Sequence, residues 1–315
     1  MARSDQIPEI LPFEAPSGGG VDLLVVAGEH SGDQHAATMV RDLLSSDSDL
    51  SVCALGGLAL KEAGAQLLSE LTELSVVGLV EVLAHYSQFK KLFSQTVEWI
   101  RQHRPEVICL VDYPGFNLRL AKELKEQGLT RAGGGEITVL SYISPQIWAW
   151  KSKRRFKMQQ WLDEVGVIFP FEVDCYKDTT LPAFFLGHPF VDPRFELQVN
   201  YDPDGPLLLL PGSRTAAIRR IFPRMLAGIE KSSALLNDRP IRVLYPGPRI
   251  KSLLEEILAE VSLSRELELY PVEQGSTGAA VITSSGTMSL QCALAGLPGT
   301  IISRAHPLTY LIGRS

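Results

Sequence analysis

The feature that most constrains this chain is a recurring unit. A short, mainly apolar run stops at a glycine, proline, serine or acidic residue, and helical periodicity follows. Such runs cover residues 21–27, 50–55, 107–111, 137–143 and 165–169 in the first half, and 207–210, 242–245, 267–270 and 280–283 in the second. Strand-length runs alternating with helices fold into parallel sheets with helices on both faces. The unit restarts after a proline-rich interval, and 315 residues suffice for two domains with separate cores. The expected fold is therefore α/β, with two doubly wound Rossmann-like domains. Residues 1–20 hold three prolines and Ser17-Gly-Gly-Gly without the apolar core of a signal peptide, which predicts a flexible extension. The first domain is expected over 21–190, a linker over 191–206 and the second domain over 207–315.

Composition narrows the function classes. A net charge of −6 argues against a general nucleic-acid binder, which would normally be basic. Four widely spaced cysteines without a Cys-x-x-Cys pair suit reduced thiols in a cytoplasmic protein better than disulfides or zinc. No apolar run approaches the roughly 18 residues needed to cross a bilayer. No cluster has metal-ligand spacing, so neither metal nor cofactor is expected.

The chemistry concentrates at strand ends. Residues 107–117 read Val-Ile-Cys-Leu-Val-Asp-Tyr-Pro-Gly-Phe-Asn. The strand stops at Asp112, Pro114 and Gly115 force a turn, and Asn117 is placed to cap a helix. Parallel sheets bind ligands at the carboxyl ends of their strands. Asp112 is thus either a general base or a turn former, and the stretch alone admits both. The first strand ends in Gly28-Glu-His-Ser-Gly-Asp33, which is not Gly-x-Gly-x-x-Gly and so does not predict a dinucleotide site. Glu29 reads as a ligand contact and Asp33 as a cap of the helix that follows. Residues 137–143 lead into a loop with Trp148 and Trp150, whose indoles wall a pocket or lock the loop. The basic run 151–157 is either a solvated face or an attractor of phosphate and anionic headgroups. Residues 79–100 are apolar beyond one helical stripe, which fits a helix buried on two sides or a surface for acyl chains. His188, between glycine and proline, reads as structural.

In the second half, Pro211-Gly212-Ser213-Arg214 joins a strand to a helix. Backbone N–H groups exposed there, at the positive end of the helix, favour an anion, and Arg214 adds a guanidinium suited to phosphate. Ser284-Ser285-Gly286-Thr287 repeats the arrangement one strand later. Two such ends facing one cleft fit a pyrophosphate.

With these loops in place the chain resembles the lipid-A-disaccharide synthase family, glycosyltransferases of the two-domain GT-B architecture. The segments that carry the resemblance are Ala27-Gly-Glu-His-Ser-Gly-Asp33, Val77-Gly-Leu-Val-Glu-Val-Leu83, Val111-Asp-Tyr-Pro-Gly-Phe-Asn117 and Tyr142-Ile-Ser-Pro-Gln-Ile-Trp-Ala-Trp150. Phe169-Pro-Phe-Glu172, Gly187-His-Pro189, Leu210-Pro-Gly-Ser-Arg214 and Ser285-Gly-Thr287 complete the set, in family order.

The resemblance implies two domains facing a cleft, the second shortened relative to the family. It implies an inverting, metal-independent transfer of 2,3-diacylglucosamine from its UDP derivative to 2,3-diacylglucosamine 1-phosphate, with a β-1,6 disaccharide and UDP as products. Asp112 matches the family's proposed base and Glu29 its loop acid. Gly212, Ser213, Arg214, Ser285, Gly286, Thr287 and Gln291 match the nucleotide and diphosphate site. Leu79, Leu83, Tyr86, Asn117, Trp148 and Trp150 fall to the acceptor and lipid pocket. The implied setting is cytoplasmic, peripheral to the inner membrane, and the family forms dimers. Ala217 and Gln291 stand where the family pattern has acids. Two rival readings remain: an inactive shortened relative that binds lipid or partners, and another GT-B enzyme using a UDP-sugar.

Overall fold

Why the strand runs are continuously apolar is visible in how their side chains are shared out. In a computed structural model, which describes residues 11–72, 86–232, 236 and 238–304 (for Tyr86 the backbone alone), the chain divides into two compact units, Met1–Pro189 and Phe190–Ser315. In the first unit β1 (Leu23–Ala27) and β4 (Val107–Val111) lie side by side at the centre of a parallel sheet. Leu24 and Val26 of β1, with Ile108 and Leu110 of β4, enter one core; Val25, Ala27, Cys109 and Val111 enter another. Both faces are covered, so the period of two separates two cores instead of core from water.

The remaining strands are β2 (Val52–Gly56), β3 (Gln66–Glu70), β5 (Thr138–Tyr142), β6 (Glu164–Val167) and β7 (Ala183–Phe185). Their order is β3-β2-β1-β4-β5-β6-β7, all neighbours parallel. The chain therefore winds outward in one direction from β1 and in the other from β4. Helix α1 (His30–Ser46) packs Ala36, Ala37 and Val40 into one core, and α2 (Leu58–Glu62) adds Leu60. Helices α3 (Tyr86–His103) and α4 (Pro114–Glu126) fill the other with Leu92, Trp99, Ile100, Leu120 and Leu124.

One open reading is resolved here and two expectations change. The described part of the broad apolar segment is core, because Leu92, Val97, Trp99 and Ile100 are all buried, which leaves no acyl-chain surface on that part of α3. Residues 73–85, with Leu79 and Leu83, and the Tyr86 side chain lie outside the described residues. Within the extension expected to be flexible, residues 13–17 are pinned. Phe13 packs on the core, the Trp99 indole donates to the Glu14 carbonyl (2.8 Å), and the Gln66 side chain bonds the backbone of Ala15 and Ser17. Helix α4 starts at Pro114, three residues before the expected cap at Asn117. Proline at the first position has its φ preset and lacks only an N–H that would have no intrahelical partner.

A short helical turn, α5 (Arg155–Met158), precedes β6. In the second unit β8 (Val199–Tyr201) arises inside the stretch expected to be a linker. It pairs in parallel with β12 (Ser276–Gly278), with Val199 fully buried. The main sheet holds β9 (Leu207–Leu210), β10 (Ile241–Tyr245), β11 (Glu268–Pro271), β13 (Ala280–Ser284) and β14 (Gly299–Ile302), in the order β11-β10-β9-β13-β14 and again parallel. Helices α6 (Thr215–Lys231) and α7 (Pro248–Ala259) cover one face through Phe222, Met225, Leu226 and Leu254. Helix α8 (Thr287–Leu294) follows β13.

All four cysteines are free thiols. Burial pushes Cys53 and Cys292 up to about 11 and Cys109 up to about 12, so they are packing groups and not nucleophiles. No helix among the described residues is long and apolar enough to cross a membrane.

Candidate active site

In the first sheet the winding direction reverses between β1 and β4, and ligands of such sheets bind where the strand order reverses. The two acids singled out from sequence sit there. Glu29 immediately precedes α1, two residues beyond β1, and Asp112 follows β4 directly. Asp112 and Tyr113 both hold left-handed backbone, with φ of 46° and 44°. Each costs about 1–2 kcal/mol for a residue with a Cβ. What holds the turn is Asn117. Its Nδ2 donates to the carbonyls of Asp112 (2.8 Å), Val111 (3.2 Å) and Val26 (3.2 Å), stitching the ends of β4 and β1 together. At 1% exposure Asn117 is a buried brace, not the pocket-lining residue expected.

Gly28 has a steric reason. A Cβ there would fall 2.2 Å from the Tyr113 ring, so only glycine lets the ring lie over the end of β1. Burial raises the Tyr113 hydroxyl above its ordinary range, and the nearby Glu29 adds to the effect. Asp33 caps a helix, but not its own. Its buried carboxylate accepts from the N–H groups of Gly57 (2.7 Å), Ala59 (3.0 Å) and Leu60 (3.4 Å), which fixes α2.

A cavity of about 340 Å³ opens beside Asp112, lined also by Pro114, Ile143 to Gln146, Trp150, Arg154, Ile168 and Glu172. That volume suits a small-molecule site. Ile143, which follows β5 directly, has φ 64°, an outlier for a β-branched residue. Two strained positions, Asp112 and Ile143, thus line one cavity, with the strained Tyr113 next in the chain to Asp112, and such strain concentrates at functional sites. Glu172 is buried, yet its charge is met by three donors: the Trp148 indole (3.0 Å) and the N–H groups of Ile168 (3.1 Å) and Phe169 (3.0 Å). Trp148 is 48% exposed and meets the Phe171 ring edge-on, so it flanks the site and does not line it. Burial pushes the Tyr176 hydroxyl, bonded to Ser144 (2.6 Å), up to about 12, with Arg154 among the lesser influences in the opposite direction. Burial, then the neighbouring His188 of the Gly187-His-Pro189 segment, lowers His35 to about 4.

In the second unit the winding reverses between β9 and β13, and there the two small-residue loops leave the sheet side by side. Gly212, at φ 108°, lies so close to Ser284 that an added Cβ would sit 2.8 Å from its Oγ. Ser213, Arg214, Ser285, Gly286 and Thr287 are all exposed, at the N-termini of α6 and α8. Gln291 is different. It is buried, and its Oε1 accepts from the Gln198 N–H (3.1 Å) ahead of β8.

Asp112 and Trp150 are therefore brought into one cavity, Glu29 sits at the same switch point, and the five exposed loop residues gather in the other unit. Sequence reading gave no role to Glu172 and did not separate Arg154 from its basic run. The only sequence signal for Arg154 was its place just after a strand-end loop.

The lipid-A-disaccharide synthetase family model matches residues 23–315. A lipid-A-disaccharide synthase from Geobacter metallireducens is 37% identical over 93% of this chain and 77% of its own length. Lipid-A-disaccharide synthase 1 from Legionella pneumophila is 36% identical over 92% and 76%. Among solved structures, a UDP-GlcNAc 2-epimerase from Neisseria meningitidis bound to UDP-GlcNAc aligns with TM-score 0.58 at 11% identity, over 92% of this chain and 85% of that one, a likeness of fold. An α/β chain with two parallel doubly wound sheets, matched along nearly its whole length, belongs to the lipid-A-disaccharide synthase family of GT-B glycosyltransferases.

Proposed function

We propose that this chain transfers 2,3-diacylglucosamine from UDP-2,3-diacylglucosamine to the 6-hydroxyl of 2,3-diacylglucosamine 1-phosphate, with Asp112 as general base. The observation that carries the reading is Asp112 itself, held in strained backbone at the sheet's switch point and lining a cavity. In the step, the acceptor oxygen bonds to the donor's anomeric carbon as the bond from that carbon to the diphosphate breaks. The hydroxyl proton passes to the Asp112 carboxylate, and the leaving electron pair goes to UDP. Attack opposite the leaving group inverts the anomeric centre. A positioned base contributes roughly 10²–10⁴-fold to such a transfer. Glu29, at the same switch point, orients the acceptor. Arg214 and the backbone N–H groups of the loops 212–214 and 285–287 meet the charge that develops on the diphosphate. Gln291 supports that site from behind through Gln198. No step needs a metal ion.

Acyl chains would lie against exposed apolar side chains such as Trp148 and Phe171, which would bring the protein to the inner membrane surface from the cytoplasm. Vesicle flotation with and without the acceptor tests the membrane part. The chemistry is tested by supplying both substrates to purified protein and following the disaccharide by mass spectrometry. The reading predicts product and UDP in equal amounts, and absence of both refutes it.

A further inference from the structure

The basic run 151–157 contains five cations, and they are not equivalent. Arg155 is paired with Asp178, and Lys151 lies over the Trp150 ring at 5.1 Å. Lys153 and Lys157 are exposed. Arg154 alone of the five lines the cavity beside Asp112. Arg154 is half-buried, and its guanidinium has no ion-pair or hydrogen-bond partner among the described residues. Of the two acids that share the cavity, Glu172 already has its carboxylate met by three N–H donors. A guanidinium facing a cavity walled by Ile143, Ile168 and Trp150 has less water to hydrate it and bonds an anion more strongly than an exposed one would. Its planar fork matches two oxygens of a phosphate.

We propose that Arg154 binds the phosphomonoester of the acceptor sugar and so sets the enzyme's preference for a phosphorylated acceptor. The assignment rests on the transferase reading and goes beyond it. It gives the cavity two separate tasks, activation of a hydroxyl by Asp112 and capture of an anion by Arg154. It also separates Arg154 from Arg214, which serves the donor's diphosphate in the other unit.

The test compares wild type, Arg154→Gln and Arg154→Lys on two short-chain acceptors, 2,3-diacylglucosamine 1-phosphate and its dephosphorylated analogue. Each is measured by turnover and by calorimetric binding. Loss of a charge-assisted contact predicts about 10- to 100-fold weaker binding of the phosphorylated acceptor to Arg154→Gln, with a matching rise in KM. The dephosphorylated analogue should be affected less than about twofold, KM for the UDP-sugar should not change, and Arg154→Lys should recover part of the loss. Equal losses on both acceptors, or no loss on the phosphorylated one, would overturn the proposal. The binding arm does not need turnover. Phosphate-dependent binding through Arg154 without product would sink the transferase reading and leave this one standing, whereas product formed with unchanged acceptor discrimination in Arg154→Gln would do the reverse. A parallel arm uses phosphatidylglycerol vesicles. If Arg154→Gln weakens vesicle binding while leaving discrimination between the two acceptors intact, Arg154 contacts headgroups and the proposal fails.

Discussion

At the scale of single residues, the site is a balance between strain and the contacts that hold it. Asn117 braces two left-handed residues with one amide group. Asn117→Leu removes those donors from buried carbonyls and should cost about 1–3 kcal/mol, measured by urea unfolding. The identity of that brace was not legible in the sequence, because an asparagine shortly after Pro-Gly reads equally as a helix cap. Asp112 was legible, because an acid that ends an apolar run has few places to go in a parallel sheet. Gly28→Ala drives a methyl into the Tyr113 ring and should lower stability by about 1–3 kcal/mol. Tyr113→Ala in the same chain removes the clash, so the double variant should melt above Gly28→Ala alone, and strict additivity of the two losses would contradict the packing described. His35 supplies a pH effect. Its folded value of about 4 lies below the ordinary 6.5, so the unfolded chain binds the proton first. Its share of the stability is complete above about 6.5 and is lost as pH falls toward 4. Wild type should therefore lose about 2 kcal/mol more than His35→Gln between pH 7 and pH 4.5, a figure reduced from the full shift because the ring keeps some contact with water.

At the scale of elements, legibility follows burial. Central strands such as β4 and β9 could be read because both faces are covered and the apolar run is unbroken. Most edge and short strands could not, β11 at the edge of the second sheet being an exception. The side chains of β3 are all half-buried, and β14 is mostly exposed, so neither carries a pattern. β8 and β12 are three residues long and exist only as partners of one another. The breadth of the apolar segment ahead of β4 was legible but its cause was not, since core and lipid surface select the same residues. The loop after β5 shows the same limit in a functional place. Two tryptophans were evident, but only the fold divides them, Trp150 into the cavity and Trp148 onto Glu172. Glu172→Ala leaves three donors without their acceptor and should destabilise the first unit by about 2–3 kcal/mol. Tryptophan emission should shift to longer wavelength as the Trp148 indole is released to water. An unchanged spectrum in a folded variant would show that Glu172 does not hold the indole.

At the scale of the whole molecule, the same device appears twice. Each unit has a parallel main sheet whose winding reverses beside that sheet's first strand, and each puts its chemistry-bearing loops at that reversal. One unit presents acids and a cavity, the other glycine and serine loops with an arginine. The repeat could be read from sequence because the strand–loop–helix unit restarts after residue 206. Side-chain roles could not, because whether Gln291 faces a ligand or Gln198 depends on packing that no local pattern encodes. The central claim is that Asp112 removes the acceptor's proton. Its most direct test is single-turnover transfer by Asp112→Asn with UDP affinity measured on the same protein. With Asp112 as the base, the rate of transfer should fall roughly 10²–10⁴-fold while UDP binding stays within a factor of two of wild type. A variant that transfers at the wild-type rate, or that loses UDP binding in proportion to its rate, would contradict it.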